Sequence, residues 1–255
     1  MKKSLKERIL PGAVLTSLIV IWEILGRAFR VPSYLLPTPS HILEAFRENW
    51  AILLDHSLVT FSEAIAGFIL GTAFAVLIAL VMSLSFNLKS SIYPLLVITQ
   101  TVPLVAIAPL LAVWLGFGIF PKVLLSAIVV FFPVVVSTVE GLGSYDNDTL
   151  RLMLSMNASR FQVYTKLRIP GALPYFFTGL KTAAAYSVMG AVISEWVGAQ
   201  KGLGIYLTRT MSSFRTAAMF AAIVIIVALS ILMFKGVEVL EKKFTGWNRK
   251  EEPEE

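Results

Sequence analysis

Long apolar runs separated by short polar segments dominate the sequence. A helix that rises about 1.5 Å per residue needs about 20 apolar residues to cross the hydrocarbon core of a bilayer. Six runs approach this length, and we predict a membrane-spanning helix in each of residues 9–26, 64–86, 92–115, 123–139, 175–197 and 217–237. The pattern therefore predicts an all-α, polytopic membrane protein with six transmembrane helices.

The basic residues predict the orientation of these spans. With the N-terminus inside, 15 of the 22 Lys and Arg residues fall in inner segments, and seven, including Lys122, fall in outer segments. Because cytoplasmic loops carry an excess of Lys and Arg, this distribution predicts an N-in, C-in topology. The first run is followed by bulky residues from Trp22 onward rather than by a small-residue cleavage site. We therefore expect an uncleaved helix and not a signal peptide.

The composition agrees with a membrane protein. Of the 255 residues, 56% are hydrophobic and 15% are charged, and the mean hydropathy is +0.77. Soluble domains average about 45–50% apolar and about 25% charged residues, so both a soluble and a disordered chain are disfavoured. The net charge of +6 is explained by the inner-facing Lys and Arg residues, and no nucleic-acid partner is needed.

The outer segment after the first span predicts a different kind of helix. Pro32, Pro37 and Pro39 prevent the first span from continuing. After them we expect an amphipathic helix, which either lies at the outer membrane surface or packs on the bundle as an ordinary surface helix. Its predicted apolar face comprises Ile42, Leu43, Phe46, Trp50, Leu53 and Leu54.

Five prolines lie within or beside the third and fourth spans: Pro94, Pro103, Pro109, Pro121 and Pro133. A proline in a lipid-buried helix frees a backbone carbonyl that neighbours or a cavity must satisfy, so this cluster favours kinked helices along a pathway. Membrane helices also tolerate proline better than soluble helices do. We take Pro103, Pro109 and Pro133 as candidate pathway residues.

The longest inner connection, residues 140–174, is too ordered in pattern for a simple linker. Asp146 and Asp148 suit the N-terminus of a short helix, where negative charge is favourable. Apolar or aromatic residues recur there at three-residue spacing, at Phe161, Tyr164 and Leu167. This basic, partly apolar segment predicts a surface that contacts a soluble cytoplasmic partner.

Ionisable residues near the hydrocarbon are costly and face protein or water. We expect Glu23 and Glu63 to lie at the outer ends of their spans, solvated by the membrane interface. We expect Lys181 to extend toward the cytoplasmic face.

Glu195 is the stronger functional candidate among the ionisable residues. It lies near the outer end of the fifth span, just before a glycine-rich turn that could act as a gate, and we group Trp196 with it as a pathway or gate candidate. A structural salt bridge from Glu195 to Arg209 or Arg215 is an equally good alternative.

No motif for enzyme chemistry accompanies the spans. The phosphate-binding loop Gly-x4-Gly-Lys-Ser/Thr is missing, and Gly179-Leu180-Lys181-Thr182 is only a near match inside a span. The positions of His41 and His56 match no zinc pattern, and the sequence has no cysteine. We expect this chain to bind no cofactor or metal and to receive energy from another polypeptide. A secondary transporter, which would show inverted repeats, and an intramembrane enzyme are the alternatives from other classes.

The inner connection resembles the coupling segment of ATP-binding-cassette (ABC) importer permeases. Their motif reads Glu-Ala-Ala, three residues, Gly, nine residues, Ile, one residue, Leu-Pro. On this spacing Asn157 stands at the Gly, Leu167 at the Ile and Ile169-Pro170 at the Leu-Pro, while Arg151-Leu152-Met153 replaces Glu-Ala-Ala. Because Asn enters the left-handed region readily, we expect the turn to persist.

The resemblance extends over nearly the whole chain. Leu35-Leu36-Pro37-Thr38-Pro39-Ser40 and Gly67-Phe68-Ile69-Leu70-Gly71 resemble the entry segment and second span of nitrate/sulfonate/taurine-type permeases. Other segments resemble the branch linked to uptake of thiamine-precursor pyrimidines: Gln100-Thr101-Val102-Pro103, Ala108-Pro109-Leu110-Leu111, Phe131-Phe132-Pro133 and Gly190-Ala191-Val192-Ile193-Ser194-Glu195-Trp196-Val197-Gly198-Ala199.

The resemblance implies a type I ABC importer transmembrane fold in a bacterial inner membrane. Residues 57–241 would form the shared five-helix core, with residues 140–174 as its coupling loop. Residues 1–56 would add one span and the outer amphipathic segment, and we expect residues 242–255 to form a disordered cytoplasmic tail.

The resemblance also implies partners and a solute. Two permease copies, expected to be a homodimer, would pair above two cytoplasmic ATPase subunits that use ATP, and an extracytoplasmic binding protein would deliver the solute. A thiamine-precursor pyrimidine is the first expectation, with a sulfonate, taurine, nitrate or riboflavin-like solute as alternatives. The residues implied to contact the ATPases are Arg151, Leu152, Met153, Ser155, Asn157, Ala158, Ser159, Arg160, Leu167, Ile169 and Pro170.

Overall fold

The computed structural model describes residues 5–246 and is helical throughout, with no strand in that part of the chain. Eleven α-helices and one π-helical turn, Tyr164–Arg168, follow one another. The helices are α1 Leu5–Ala28, α2 Pro39–Glu48, α3 Trp50–Ser83, α4 Phe86–Thr99, α5 Leu104–Leu115, α6 Ile119–Gly143, α7 Asn147–Ser155, α8 Arg160–Val163, α9 Ile169–Glu195, α10 Leu203–Ser212 and α11 Thr216–Phe244.

Five helices in the described part are long and apolar enough to cross a membrane: α1, α3, α6, α9 and α11. Helices α4 and α5 reach the required length only as a pair, and their axes are bent by 95°. Six spans are therefore present when this pair counts as one broken span. The tail that we expected from residue 242 begins inside α11, which ends at Phe244, and residues 247–255 lie outside the described residues.

The span predicted over residues 92–115 is present as two half-helices, and the break between them is sharper than the proline kinks that we expected. Helix α4 ends at Thr99, and α5 starts only after Pro103, whose backbone is extended at φ −63° and ψ 117°. Proline has no N–H to donate, and it disfavours the helical conformation of the residue before it. Pro94 and Pro109, by contrast, are accommodated inside the two half-helices.

The outer segment also differs from the single amphipathic helix that we predicted. Helix α2 ends at Glu48, and α3 starts at Trp50 and continues into the membrane without interruption as far as Ser83. The break falls at Asn49, whose side-chain amide donates to the Ala45 carbonyl at 2.7 Å and accepts from Arg215 at 3.1 Å. Asn side chains often bond to nearby backbone groups in this way and so compete with the hydrogen bonds of a helix. The competition at Asn49 separates α2 from α3 by this one residue.

Helices α3, α6 and α9 form the centre of the bundle. Small residues recur at every fourth position of α3, and all of them are buried: Gly67, Gly71, Ala75 and Ala79. A β-carbon on Gly71 would lie 2.4 Å from the Ala127 carbonyl oxygen of α6, so only glycine fits there. Small residues at such spacing let membrane helices approach closely, because van der Waals packing rather than a hydrophobic force holds helices together in lipid.

Replacing Gly71 with valine should destabilise the bundle by about 1–3 kcal/mol, the usual cost of overpacking. The matched control is Gly236→Val, because a β-carbon on Gly236 of α11 would meet nothing within 4 Å. Thermal unfolding in detergent would compare the two variants, and equal unfolding midpoints would contradict the close-packing account.

Candidate coupling surface and buried polar cluster

The inner connection is shorter than residues 140–174, because the flanking helices continue into it. Helix α6 reaches Gly143 and α9 begins at Ile169, so residues 144–168 form the connection. Pro170 does not interrupt the chain here, because α8, the π-helical turn and α9 form one helix from Arg160 to Glu195, and the π-helical turn ends two residues before Pro170.

Helix α7 has the acidic N-terminus that the sequence predicted. The Asp146 carboxylate accepts from the Thr149 hydroxyl at 2.6 Å, the Thr149 N–H at 2.9 Å and the Asp148 N–H at 3.2 Å. These bonds, the one from the Thr149 side chain first, lower the pKa of Asp146 below its usual value. The cap is therefore formed at neutral pH, and it is lost only as the pH falls through this lowered pKa.

Asn157 ends α7 in the left-handed conformation, at φ 57°. The Ala158 N–H donates to the Met153 carbonyl and the Asn157 N–H to the Leu154 carbonyl, each at 3.0 Å. This is the bonding pattern of a Schellman motif, which usually has glycine at this position. The expectation that Asn preserves the turn is confirmed.

A second cap starts α8 directly after this turn. The Ser159 hydroxyl accepts from the Gln162 N–H at 3.2 Å, and the Gln162 side chain accepts from the Ser159 N–H at 2.7 Å. This reciprocal capping box fixes the angle between α7 and α8. The connection is thus an ordered unit, which is what a surface for docking a partner requires.

The surface of this unit is apolar as well as basic. Met156 and Phe161 are 74% and 76% exposed, and Leu152 and Leu154 are also exposed, beside the basic Arg160. Exposed apolar patches of this kind mark interaction sites. The other coupling residues are distributed on the same unit: Arg151, Ser155, Asn157 and Ser159 are exposed, Met153 and Ala158 are half-buried, and Leu167, Ile169 and Pro170 lie where α9 begins.

Two contacts join the connection to the bundle. The hydroxyls of Tyr164 and Ser83, at the end of α3, are 2.5 Å apart. The hydroxyls of Ser144 and of Tyr175, on α9, are 2.7 Å apart. Within the connection itself, Arg168 donates to the Tyr145 hydroxyl at 3.1 Å, and its guanidinium carbon lies 4.6 Å from the centre of that ring. The connection therefore contacts α3 and α9, and its own two ends are joined through Tyr145 and Arg168.

A cavity of about 450 Å³ opens at the bend between α4 and α5. Pro133 of α6 lines it, and Pro103 stands at the bend itself, whereas Pro109 lies further along α5. Tyr186 and Met189 of α9 are half-exposed beside it. Two of the three candidate pathway prolines are thus near this cavity, whereas Glu195 and Trp196 lie at the end of α9.

Glu195 is fully buried in a polar cluster at the outer end of the bundle. Its carboxylate accepts from the Thr60 hydroxyl at 2.7 Å and from the Gly204 N–H at 2.5 Å. The proposed salt bridge to Arg209 or Arg215 is absent from the ion pairs of the described residues. Trp196, the neighbouring gate candidate, is half-exposed.

Glu63 is also buried, which contradicts the prediction that the membrane interface solvates it. Its side chain is 1% exposed, and it accepts from the Lys122 ammonium group of α6 at 3.1 Å. A buried carboxylate needs such a partner because removing a charge from water is costly. Sequence analysis missed Lys122, which we had counted as an ordinary cation of an outer segment.

The turn after α9 packs tightly onto this cluster. Gly202 has φ 123°, and a β-carbon there would lie 2.2 Å from the carboxyl carbon of Glu195. His56 of α3 also holds this turn, since its Nδ1 lies 2.7 Å from the Gly202 carbonyl oxygen and 3.0 Å from the Gly202 N–H. Glycine at position 202 allows the chain to pass directly over a buried carboxylate.

The other two ionisable residues expected near the hydrocarbon, Lys181 and Glu23, also have protein partners. Lys181 forms an ion pair with Glu241 of α11 at 2.8 Å. Glu23 accepts from the Ser40 N–H at 2.9 Å and the Ser40 hydroxyl at 2.8 Å, so it caps α2 besides pairing with Arg27. Among residues 5–246, no three His, Asp or Glu side chains are grouped so that they could hold a metal ion.

Comparison with known proteins identifies this arrangement. The model of the family described as "binding-protein-dependent transport system inner membrane component" matches residues 67–246. The chain belongs to this family. It is 35% identical over 242 residues to the formylaminopyrimidine transport permease protein ThiX of Halalkalibacterium halodurans, covering 94% of this chain and 96% of that protein. It is 28% identical over 232 residues to the riboflavin transport system permease protein RibX of Chloroflexus aurantiacus, covering 90% and 87%.

A solved structure has the same fold. The inward-facing MetNI methionine ABC transporter aligns with a TM-score of 0.64 and 16% identity, covering 77% of this chain and 97% of that chain. The chain is therefore an ABC importer permease with the type I transmembrane fold, a multi-pass protein of the plasma membrane. Family membership confirms the prediction of a transport subunit whose ATPase is a separate polypeptide, and it disfavours the secondary transporter and the intramembrane enzyme.

Replacing Lys122 with methionine should destabilise the protein by about 3–5 kcal/mol, because it leaves the buried Glu63 carboxylate without a partner. The double variant Glu63→Gln, Lys122→Met should recover much of this loss. Lys201→Met is the matched control, because Lys201 pairs with Asp55 in an exposed position. This substitution should lower the stability by at most about 1 kcal/mol. Unfolding midpoints in detergent would test this order, and equal losses for the two lysine variants would contradict it.

Proposed function

We propose that this permease carries a pyrimidine of the thiamine-precursor type across the membrane. The observation that supports this solute most is the 35% identity to a formylaminopyrimidine permease over nearly the full length of both chains. The chain is also similar to a riboflavin permease, at a lower identity of 28%. Both named solutes contain a flat heterocyclic ring. The chain is also 29% identical to a putative aliphatic sulfonates permease, SsuC of Bacillus subtilis, so the choice of solute rests on the cavity as well as on the identity.

The chemistry of the cavity at the α4–α5 bend supports an uncharged, flat solute. Its lining is mostly apolar, with Thr99 and Gln100 as hydrogen-bonding groups and Tyr186 as an aromatic surface on which a heterocycle can stack. No Lys, Arg or His lines it in the described part of the chain. A sulfonate, taurine or nitrate would enter such a cavity without a positive partner, and burial of an unpaired anion is costly.

Residues 144–168 serve, in this proposal, as the surface on which the cytoplasmic ATPases dock. The apolar side chains of Met156 and Phe161 would enter a cleft of the ATPase, and the two caps would keep α7 and α8 at a fixed angle. When the ATPases close on ATP, the contact of Tyr164 with Ser83 would pass the displacement to α3, and the continuous helix from Arg160 to Glu195 would pass it to α9.

A second copy of the chain completes the pathway in this proposal. Val102, which lines the cavity at the bend, is exposed, and Val105 and Val113 are exposed apolar residues of α5. A homodimer would cover these residues and enclose the solute between two symmetric cavities.

The solute can be tested with the complete importer in proteoliposomes, with its ATPase and binding protein present. We expect ATP-dependent accumulation of formylaminopyrimidine, with little competition from taurine or an alkyl sulfonate. Preferred accumulation of riboflavin or a sulfonate would overturn the solute assignment. Accumulation without ATP would overturn the importer mechanism itself.

The coupling role can be tested at Asn157. Asn157→Val places a β-branched residue at φ 57°, which costs about 1–3 kcal/mol locally, so the turn should rearrange. We expect uptake to fall at least several-fold, while the protein still inserts in the membrane and the ATPase subunits still hydrolyse ATP. Asn157→Gly is the matched control, because glycine adopts this conformation freely, and it should keep near-normal uptake. Equal uptake in both variants would contradict the coupling assignment.

A further inference from the structure

A second cavity, of about 370 Å³, lies at the cytoplasmic end of the bundle. The ends of α3 and α6 and the start of α4 form its walls, and Arg168 closes it from the side of the inner connection. Its polar lining includes Ser85 and Tyr145, and its two cations are Lys89 and Arg168. This cleft is separate from the cavity at the α4–α5 bend, and it adjoins the cavity beside α7 and α8, with which it shares Ser83, Leu84 and Arg168.

The two cations of the cleft lack acidic partners. The Lys89 ammonium group lies close to α6, since a β-carbon built on Gly143 would be 3.3 Å from it. Arg168 is held by Tyr145 through a hydrogen bond and its ring, which leave the positive charge uncompensated. Within residues 5–246, no carboxylate lies within 4.0 Å of either cation.

Nearby carboxylates are engaged elsewhere. Asp146 follows Tyr145 in sequence, but its oxygens accept hydrogen bonds from the first turn of α7. Glu140 accepts from the Tyr93 hydroxyl at 2.9 Å. Two half-buried positive charges beside one cavity therefore suit an anion supplied from outside the chain.

The depth of the cleft indicates where this anion comes from. The cleft lies where spanning helices end on the cytoplasmic side, which is the level of the inner-leaflet headgroups. Leu84 lines the cleft and is 77% exposed, and Leu88 is exposed beside Lys89. The cations suit the charged headgroup of a phospholipid, and the exposed apolar side chains beside them suit its acyl chains. Basic pockets between transmembrane helices on the cytoplasmic side bind anionic headgroups.

We propose that this cleft binds the phosphate group of an anionic phospholipid from the cytoplasmic leaflet. Lys89 and Arg168 neutralise the phosphate, the hydroxyls of Ser85 and Tyr145 are positioned to donate to it, and an acyl chain lies along Leu84. Because Arg168 ends the inner connection, a bound lipid would also anchor that connection to the bilayer.

The test uses the complete importer in nanodiscs of phosphatidylcholine to which phosphatidylglycerol is added. Native mass spectrometry would measure how much phosphatidylglycerol each permease retains after release from the nanodisc. Lys89→Gln should weaken retention about fivefold, the effect of one basic residue near an anionic membrane surface. The matched control is Lys243→Gln, an exposed lysine near the end of α11 with the same change of charge outside the cleft, and it should retain the lipid like the unmodified protein.

The outcomes separate the possible occupants. Equal retention of phosphatidylglycerol and phosphatidylcholine, or equal losses in the two lysine variants, would overturn the proposal. If millimolar inorganic phosphate abolishes retention of phosphatidylglycerol as effectively as Lys89→Gln does, the cleft is assigned to a soluble phosphate instead. If Lys89→Gln weakens only the association with the ATPase, while lipid retention is unchanged, an acidic side chain of that partner occupies the cleft and the lipid proposal fails.

Discussion

Close contact between helix backbones is the constraint on which the rest of this structure depends. Lipid tails are as apolar as leucine, so nothing drives apolar side chains of neighbouring helices together as water would. The stripe of small residues from Gly67 to Ala79 places α3 directly against α6, and a β-carbon at Gly71 would already meet the Ala127 carbonyl oxygen. This contact brings the outer ends of α3, α6 and α9 near enough for charged side chains to meet.

The buried polar cluster is a consequence of that packing. Glu63 of α3 and Lys122 of α6 are 59 residues apart in sequence. They can pair because the backbones of these two helices are in close contact. Glu195 lies on a third helix, α9. Its carboxylate accepts from the Thr60 hydroxyl of α3 and from the Gly204 N–H at the start of α10. The outer end of the bundle is thus closely packed around buried polar groups at this point, although one Glu63 carboxylate oxygen has no partner among the described residues, in contrast to the open cavity at the α4–α5 bend.

The inner end is organised by local hydrogen bonds instead. Asp146, Asn157 and Ser159 each satisfy backbone groups within a few residues of themselves, so the shape of the inner connection is fixed mainly by its own sequence. Two side-chain contacts then join it to the bundle. The second half of this unit also continues into α9 without a break, as one helix from Arg160 to Glu195. Such a continuous helix suits a segment that passes displacement from a motor to transmembrane helices.

The sequence by itself determined the number and order of the spans, the acidic cap of α7 and the left-handed turn at Asn157. Each of these follows from residues that are close together in the chain. Only the tertiary structure decided that α4 and α5 meet at 95° and that Glu63 finds Lys122. The partner of a buried charge depends on which helices touch, and hydropathy along one helix carries no information about its neighbours.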